Sequence, residues 1–152
     1  MQTEPFGEAT RIQLGITLLR VSLGVMYLTH SIVLKLLTFG LAGTVGYFQS
    51  IGLPGGLAYV TIAAEITGGA SLVLGIQARW VALALTPALI GAIAWVHAWN
   101  GWVFTAPGGG WEYPFYLIVL SVAQALLGDG AFALCPSRPL GQIFPRASRS
   151  PA

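Results

Sequence analysis

Apolar residues in this chain gather into four runs, at 12–37, 57–76, 81–99 and 114–127, each bounded by glycine, proline or charged positions. A helix needs about 20 residues to cross a hydrocarbon core of roughly 30 Å. The first three runs meet that length. The fourth reaches it only if 111–116 and 130–134 extend it into the interfaces. Nothing alternates with period two, and the runs are too long for barrel strands. The pattern predicts an all-α integral membrane protein, an up-and-down four-helix bundle.

Breakers separate the runs. Gly52-Leu53-Pro54-Gly55-Gly56 closes one long connection and Ala106-Pro107-Gly108-Gly109-Gly110 closes another. Between the second and third runs stand only Gln77-Ala78-Arg79, a link so short that it forces an antiparallel hairpin. Beyond Leu134 the apolar character falls away, and Pro136-Ser137-Arg138-Pro139 opens a polar tail. The expected division is a leading segment 1–11, a transmembrane unit 12–134 and a tail 135–152. The first run is read as a permanent span, because it is longer than a signal peptide, carries Arg20 and His30, and lacks a small-residue cleavage site.

Composition agrees with a lipid surround: charged residues make up 8% of the 152 residues against 55% hydrophobic, where a soluble domain carries about a quarter charged. One cysteine, Cys135, permits neither an internal disulfide nor a CxxC dithiol nor a thiolate cluster. The net charge of +2 rests on scattered arginines and points to no nucleic-acid partner. Their placement says more. Arg11, Arg79, Arg138, Arg146 and Arg149 fall on one side of a four-crossing bundle, whereas the other side has only Lys35. Positive residues stay inside, so both termini are expected in the cytoplasm and the two Gly/Pro-rich loops outside, in the cell's inner (plasma) membrane.

Ionisable groups within a bilayer are costly, and are paired or functional. Arg20 and Glu65 each lie eight residues into their runs from opposite sides, about 12 Å deep at a helical rise of 1.5 Å. That leaves them about 6 Å apart along the normal of a roughly 30 Å core, and an Arg20–Glu65 ion pair is expected. Two roles fit it, a structural clamp or a direct part in binding and proton transfer. Gly68 and Gly69 are expected to let backbones approach, and Pro87 to kink the third helix. The remaining polar groups gather at the outer ends: His30, Lys35, His97, Asn100, Glu112 and Tyr113, in a belt with Trp95, Trp99, Trp102 and Trp111. Tyr27, His30, Glu65, His97 and Glu112 are the candidates for one outward-facing pocket. Two histidines and a carboxylate come from separate elements without motif spacing, so no metal site is expected. A quinone head group suits such a pocket, since it wants polar partners, an aromatic surface and a proton acceptor. No Rossmann glycine pattern, P-loop or nucleophile elbow is present.

In order, Arg20, Gly24, Tyr27, His30 and Lys35, then Gly52-Leu53-Pro54, Glu65, Gly68-Gly69, Gly75 and Arg79, then His97, Gly110-Trp111-Glu112-Tyr113-Pro114 and Leu127-Gly128-Asp129-Gly130 resemble the blocks of the DoxX family over residues 15–134. The resemblance implies a four-helix transmembrane bundle. It also implies redox work: the family is named for a subunit of an archaeal thiosulfate:quinone oxidoreductase, and relatives are linked to sulfur or thiol chemistry. Two functional readings follow. One is a membrane subunit of a quinone-linked oxidoreductase, with no covalently held cofactor. The other is a non-catalytic accessory or assembly subunit of a larger complex. Both place the chain among lipid and other membrane subunits or further copies of itself. No paired broken helices or inverted repeats suggest a transporter.

Overall fold

The computed structural model describes residues 7–139. Helix α1 (Glu8–Leu28) runs without a break into a π-wound segment, Thr29–Thr38, giving one rod of 31 residues. Gly40, at φ 70°, ends the rod and opens a short helix α2 (Gly40–Ser50). Helix α3 (Gly56–Leu74) stops at Gly75, again at φ 70°, where the Ile76 N–H returns to the Ser71 carbonyl. Helix α4 (Ala78–Ala92) continues through a π turn, Ile93–His97, and a 3-10 turn, Ala98–Asn100. Helix α5 (Glu112–Leu127) ends at Gly128, at φ 99°. Among the described residues there is no strand, only one isolated parallel bridge between Ile76 and Cys135.

The four long helices close a ring, α1 on α3, α3 on α4, α4 on α5 and α5 back on α1. Small residues set the spacing. A methyl at Gly24 would come within 2.7 Å of the Gly69 carbonyl oxygen, so α1 and α3 cross backbone to backbone. Gly68 leaves room for Leu85 of α4. Pro87 deprives the Leu83 carbonyl of its helical N–H, and the Thr86 hydroxyl donates to that oxygen instead at 2.7 Å.

Polarity is inverted relative to a water-soluble protein. Arg20, Ser31, Glu65, Arg79, Ser121, Gln124 and Asp129 are buried, while Leu18, Leu37, Val60, Ile90 and Leu126 are more than half exposed. In lipid such apolar side chains lose nothing, and the polar ones must face inward. Three rods are long and apolar enough to cross: Glu8–Thr38, Gly56–Leu74 and Ala78–Asn100. Helix α5 has 16 residues, about 24 Å. It gains only Glu112 and Tyr113 over the run read from sequence. Residues 130–134 are not helical, because Gly130 turns the chain under α1, where the Thr17 hydroxyl donates to the Ala131 carbonyl at 2.9 Å. The protein is a multi-pass helical membrane protein.

The end of the bundle that carries both described termini is pinned by charge. Asp129 Oδ1 accepts from the Ala78 N–H at 2.7 Å and so caps α4, and both its oxygens accept from Ser137. Arg79, in the first turn of α4, donates to the Ala125 and Leu126 carbonyls at the end of α5. The antiparallel pair is thus capped reciprocally. Arg146 and Arg149 of the expected cytoplasmic tail lie outside the described residues.

Candidate functional site

At the opposite end the helices spread around a cavity of about 790 Å³, within the range of small-molecule sites. Helix α1 and its π segment contribute Tyr27, His30 and Lys35; α3 contributes Glu65; the far end of α4 contributes Val96 and His97; α5 contributes Tyr113 and Leu117. Helix α2 covers one flank with Thr44, Tyr47 and Phe48. A smaller cavity of about 170 Å³ shares Lys35 and Glu65 and reaches Thr61 and Trp95.

Both histidines stand in π-wound turns, and backbone carbonyls fix both rings. Nδ1 of His30 donates to the Met26 carbonyl at 3.1 Å, and Nδ1 of His97 donates to the Gly109 carbonyl at 2.8 Å. A carbonyl can only accept, so each Nδ1 carries the proton, and in the neutral ring Nε2 is the acceptor. The His30 ring also stacks on Tyr113, centroids 5.9 Å apart at 19°. Asn100 braces the loop facing His97, donating to the Gly108 and Gly109 carbonyls at 3.0 Å.

Glu65 is paired with Lys35, not with Arg20. The Lys35 ammonium contacts Glu65 Oε2, which also accepts from the Ser31 hydroxyl at 2.5 Å. Register explains the correction. The Gly24–Gly69 crossing places Arg20 and Glu65 four residues to either side of the contact, about 12 Å apart along the axes. Side chains on a helix lean toward its N-terminus. Lys35 therefore leans back toward Glu65, and Arg20 leans away from it. Arg20 instead donates to the Ala131 carbonyl at 3.3 Å, with Asp129 near enough to offset its charge. Gly75 is the glycine that makes room for it, since a side chain there would collide with the guanidinium.

Of the five pocket candidates, Tyr27, His30, Glu65 and His97 line the large cavity and Glu112 does not. Glu112 opens α5 and accepts from the Phe104 N–H at 3.1 Å, holding the 101–111 loop closed. Trp102 and Trp111 meet edge to face beside it, 4.4 Å between centroids, and pack with Phe115. Among the described residues no three His, Cys, Asp or Glu groups approach closely enough to hold a metal ion. Cys135 is exposed at the opposite end beside Gln77, so its thiol cannot reach the cavity. Sequence reasoning missed Ser31 and Thr44 as parts of the site. Ser31 lies one turn before Lys35 on the same face, a signal that was there to be read. Thr44 belongs to a helix read as a connection.

Comparison of the sequence with known proteins identifies its relatives. The family model for DoxX matches residues 15–98. A protein of Bacillus subtilis (strain 168) named "Putative oxidoreductase CatD" is 36% identical over 126 residues, covering 82% of this chain and 87% of that protein. No solved structure matches significantly. On the extent of the family match and of this similarity, the chain belongs to the DoxX family.

Proposed function

We propose that this chain is the membrane subunit of an oxidoreductase, seated in the cell's inner membrane, whose outward cavity receives a quinone-type head group. The observation that carries the reading is the convergence of two fixed imidazoles and one part-buried ion pair, Lys35–Glu65, on a single cavity of about 790 Å³. The relative from B. subtilis carries the name "Putative oxidoreductase CatD", and the family supplies the membrane setting.

A quinone exchanges two electrons and two protons when bound. The residues here address the protons and the positioning. Nε2 of His30 and of His97 can each hold or release a proton while Nδ1 keeps the ring oriented. Tyr113 stacked on His30 and Phe48 on α2 offer aromatic surface. Lys35 and Glu65 compensate each other, so the cavity wall carries no net charge from them and admits a neutral ligand. The lone thiol is remote, so electrons arrive from a donor other than this chain's cysteine. That supports a subunit working with membrane partners.

Binding of a short-chain quinone–quinol couple to the purified protein in nanodiscs tests the proposal. A saturable site weakened about tenfold in His97→Ala is expected, on the loss of one functional hydrogen bond. No binding of either form, together with parental oxidoreductase activity of His97→Ala membranes, would overturn it. The accessory reading rests on the outer aromatic rim, where Trp99 is 93% exposed and Phe104 is 62% exposed, a surface suited to another membrane subunit.

A further inference from the structure

Lys35 and Glu65 line both the large cavity and the small one, which sets this ion pair at their junction. A lysine near the end of a membrane helix ordinarily carries its ammonium out toward the headgroups. Here the side chain is 18% exposed and is turned inward, held on Glu65 Oε2. Three elements fix it there. The Ser31 hydroxyl binds the same oxygen from one turn back on the π-wound segment, α3 supplies the carboxylate, and the Thr44 hydroxyl of α2 donates to the Lys35 carbonyl at 2.8 Å. An ammonium has three N–H donors. Glu65 takes one, and among the described residues no other protein acceptor takes the remaining two. Donors left unmet in a protein surrounded by lipid are costly. Other N–H donors of the wall are spent: Nδ1 of His30 and of His97 donate to the Met26 and Gly109 carbonyls. The Tyr27 and Tyr113 hydroxyls are uncharged, so Lys35 holds the charged, uncommitted donors of the cavity.

We infer that Lys35 is the residue that recognises the ligand, its ammonium donating to a carbonyl oxygen of the quinone-type ring, with Glu65 as the positioning residue that keeps the ammonium in the cavity. The inference rests on the redox-ligand reading proposed above and assigns to it a donor. A hydrogen bond from an ionised donor is about twice as strong as a neutral one. Because Glu65 balances the charge, that strength is available to a neutral carbonyl without calling for an anionic ligand. Lys35 thus has a second task beyond compensating Glu65.

The test compares two probes of one shape on the full-length protein in nanodiscs, with empty nanodiscs as the blank for partition into lipid. Duroquinone carries two carbonyl oxygens; hexamethylbenzene puts a methyl group where each of them stands. Calorimetric titration reads both affinities in the parent and in the double variant Lys35→Met with Glu65→Gln, in which neither charge is left without its partner. The parent is expected to bind duroquinone at least about tenfold more tightly than hexamethylbenzene, the effect of one hydrogen bond to a charged donor. In the double variant that preference should shrink toward unity, while the affinity for hexamethylbenzene, which reads the shape of the cavity, stays at the parental value. A second measurement needs no variant: the infrared C=O stretch of duroquinone bound to the parent should fall, for one carbonyl, below its value in empty nanodiscs. Equal affinities in the parent, a preference that survives in the double variant, or carbonyl stretches unmoved in the parent would overturn the inference and leave the proposed function standing. Binding of neither probe to the parent would overturn both.

Discussion

Lys35 and Glu65 illustrate how a part-buried charge pair is to be valued. Bringing two ions out of water is expensive, and their attraction repays it only with good geometry and added hydrogen bonds. Here Glu65 Oε2 has the ammonium and the Ser31 hydroxyl together. Removing one partner leaves the other charge uncompensated, which costs about 3–5 kcal/mol, whereas removing both costs far less. Lys35→Met and Glu65→Gln are therefore each expected to lower unfolding stability in detergent by about that amount, with the double variant closer to the parent than either single. Additive losses would mean the two side chains act separately. The sequence identified Glu65 as a paired group but chose the wrong partner, because depth was counted from the edges of apolar runs. Helix α1 begins at Glu8, ahead of its apolar run, so those edges were not the true reference. The glycines were, and a contact between Gly24 and Gly69 would have selected Lys35.

Among the elements, the helix pairs hold together through close approach and reciprocal capping more than through bulk. At Gly69 an added methyl group meets the Gly24 carbonyl oxygen at 2.9 Å and the Leu28 side chain at 3.0 Å. Gly69→Val should separate α1 from α3 at a cost of about 1–3 kcal/mol, read as a lowered midpoint of thermal unfolding. Gly15→Ala on the same rod meets nothing within 4 Å and should be neutral or raise stability by up to about 1 kcal/mol. Equal behaviour of the two would contradict the packing account. The three long runs were readable as spans because hydrophobicity over about 20 residues is a strong signal. Helix α2 was not. Its eleven residues include Gly40, Gly43 and Gly46, a composition poor in helix propensity. It is held by tertiary contacts such as the Thr44 hydroxyl on the Lys35 carbonyl at 2.8 Å. The π winding of 29–38 and 93–97, which sets the aim of both histidines, likewise has no local sequence signature.

For the molecule as a whole, the two ends have different tasks. One is closed by Asp129, Arg79 and Arg20 and has a structural role, which accounts for the Leu127-Gly128-Asp129-Gly130 block noticed in the sequence. The other opens around the histidines. The asymmetry of arginine predicts that the closed end faces the cytoplasm, and Cys135, exposed at that end, is a ready reporter. A membrane-impermeant maleimide should label Cys135 in inverted vesicles and leave it unlabelled in intact spheroplasts; the reverse pattern would invert the orientation.

That the open end is the working site is most directly tested by photo-crosslinking. An azido-quinone irradiated in native membranes, followed by peptide mapping, should modify the segments 27–35 and 88–97 and lose that labelling to excess unlabelled quinol. Modification scattered over the lipid-facing residues, undiminished by competitor, would contradict it.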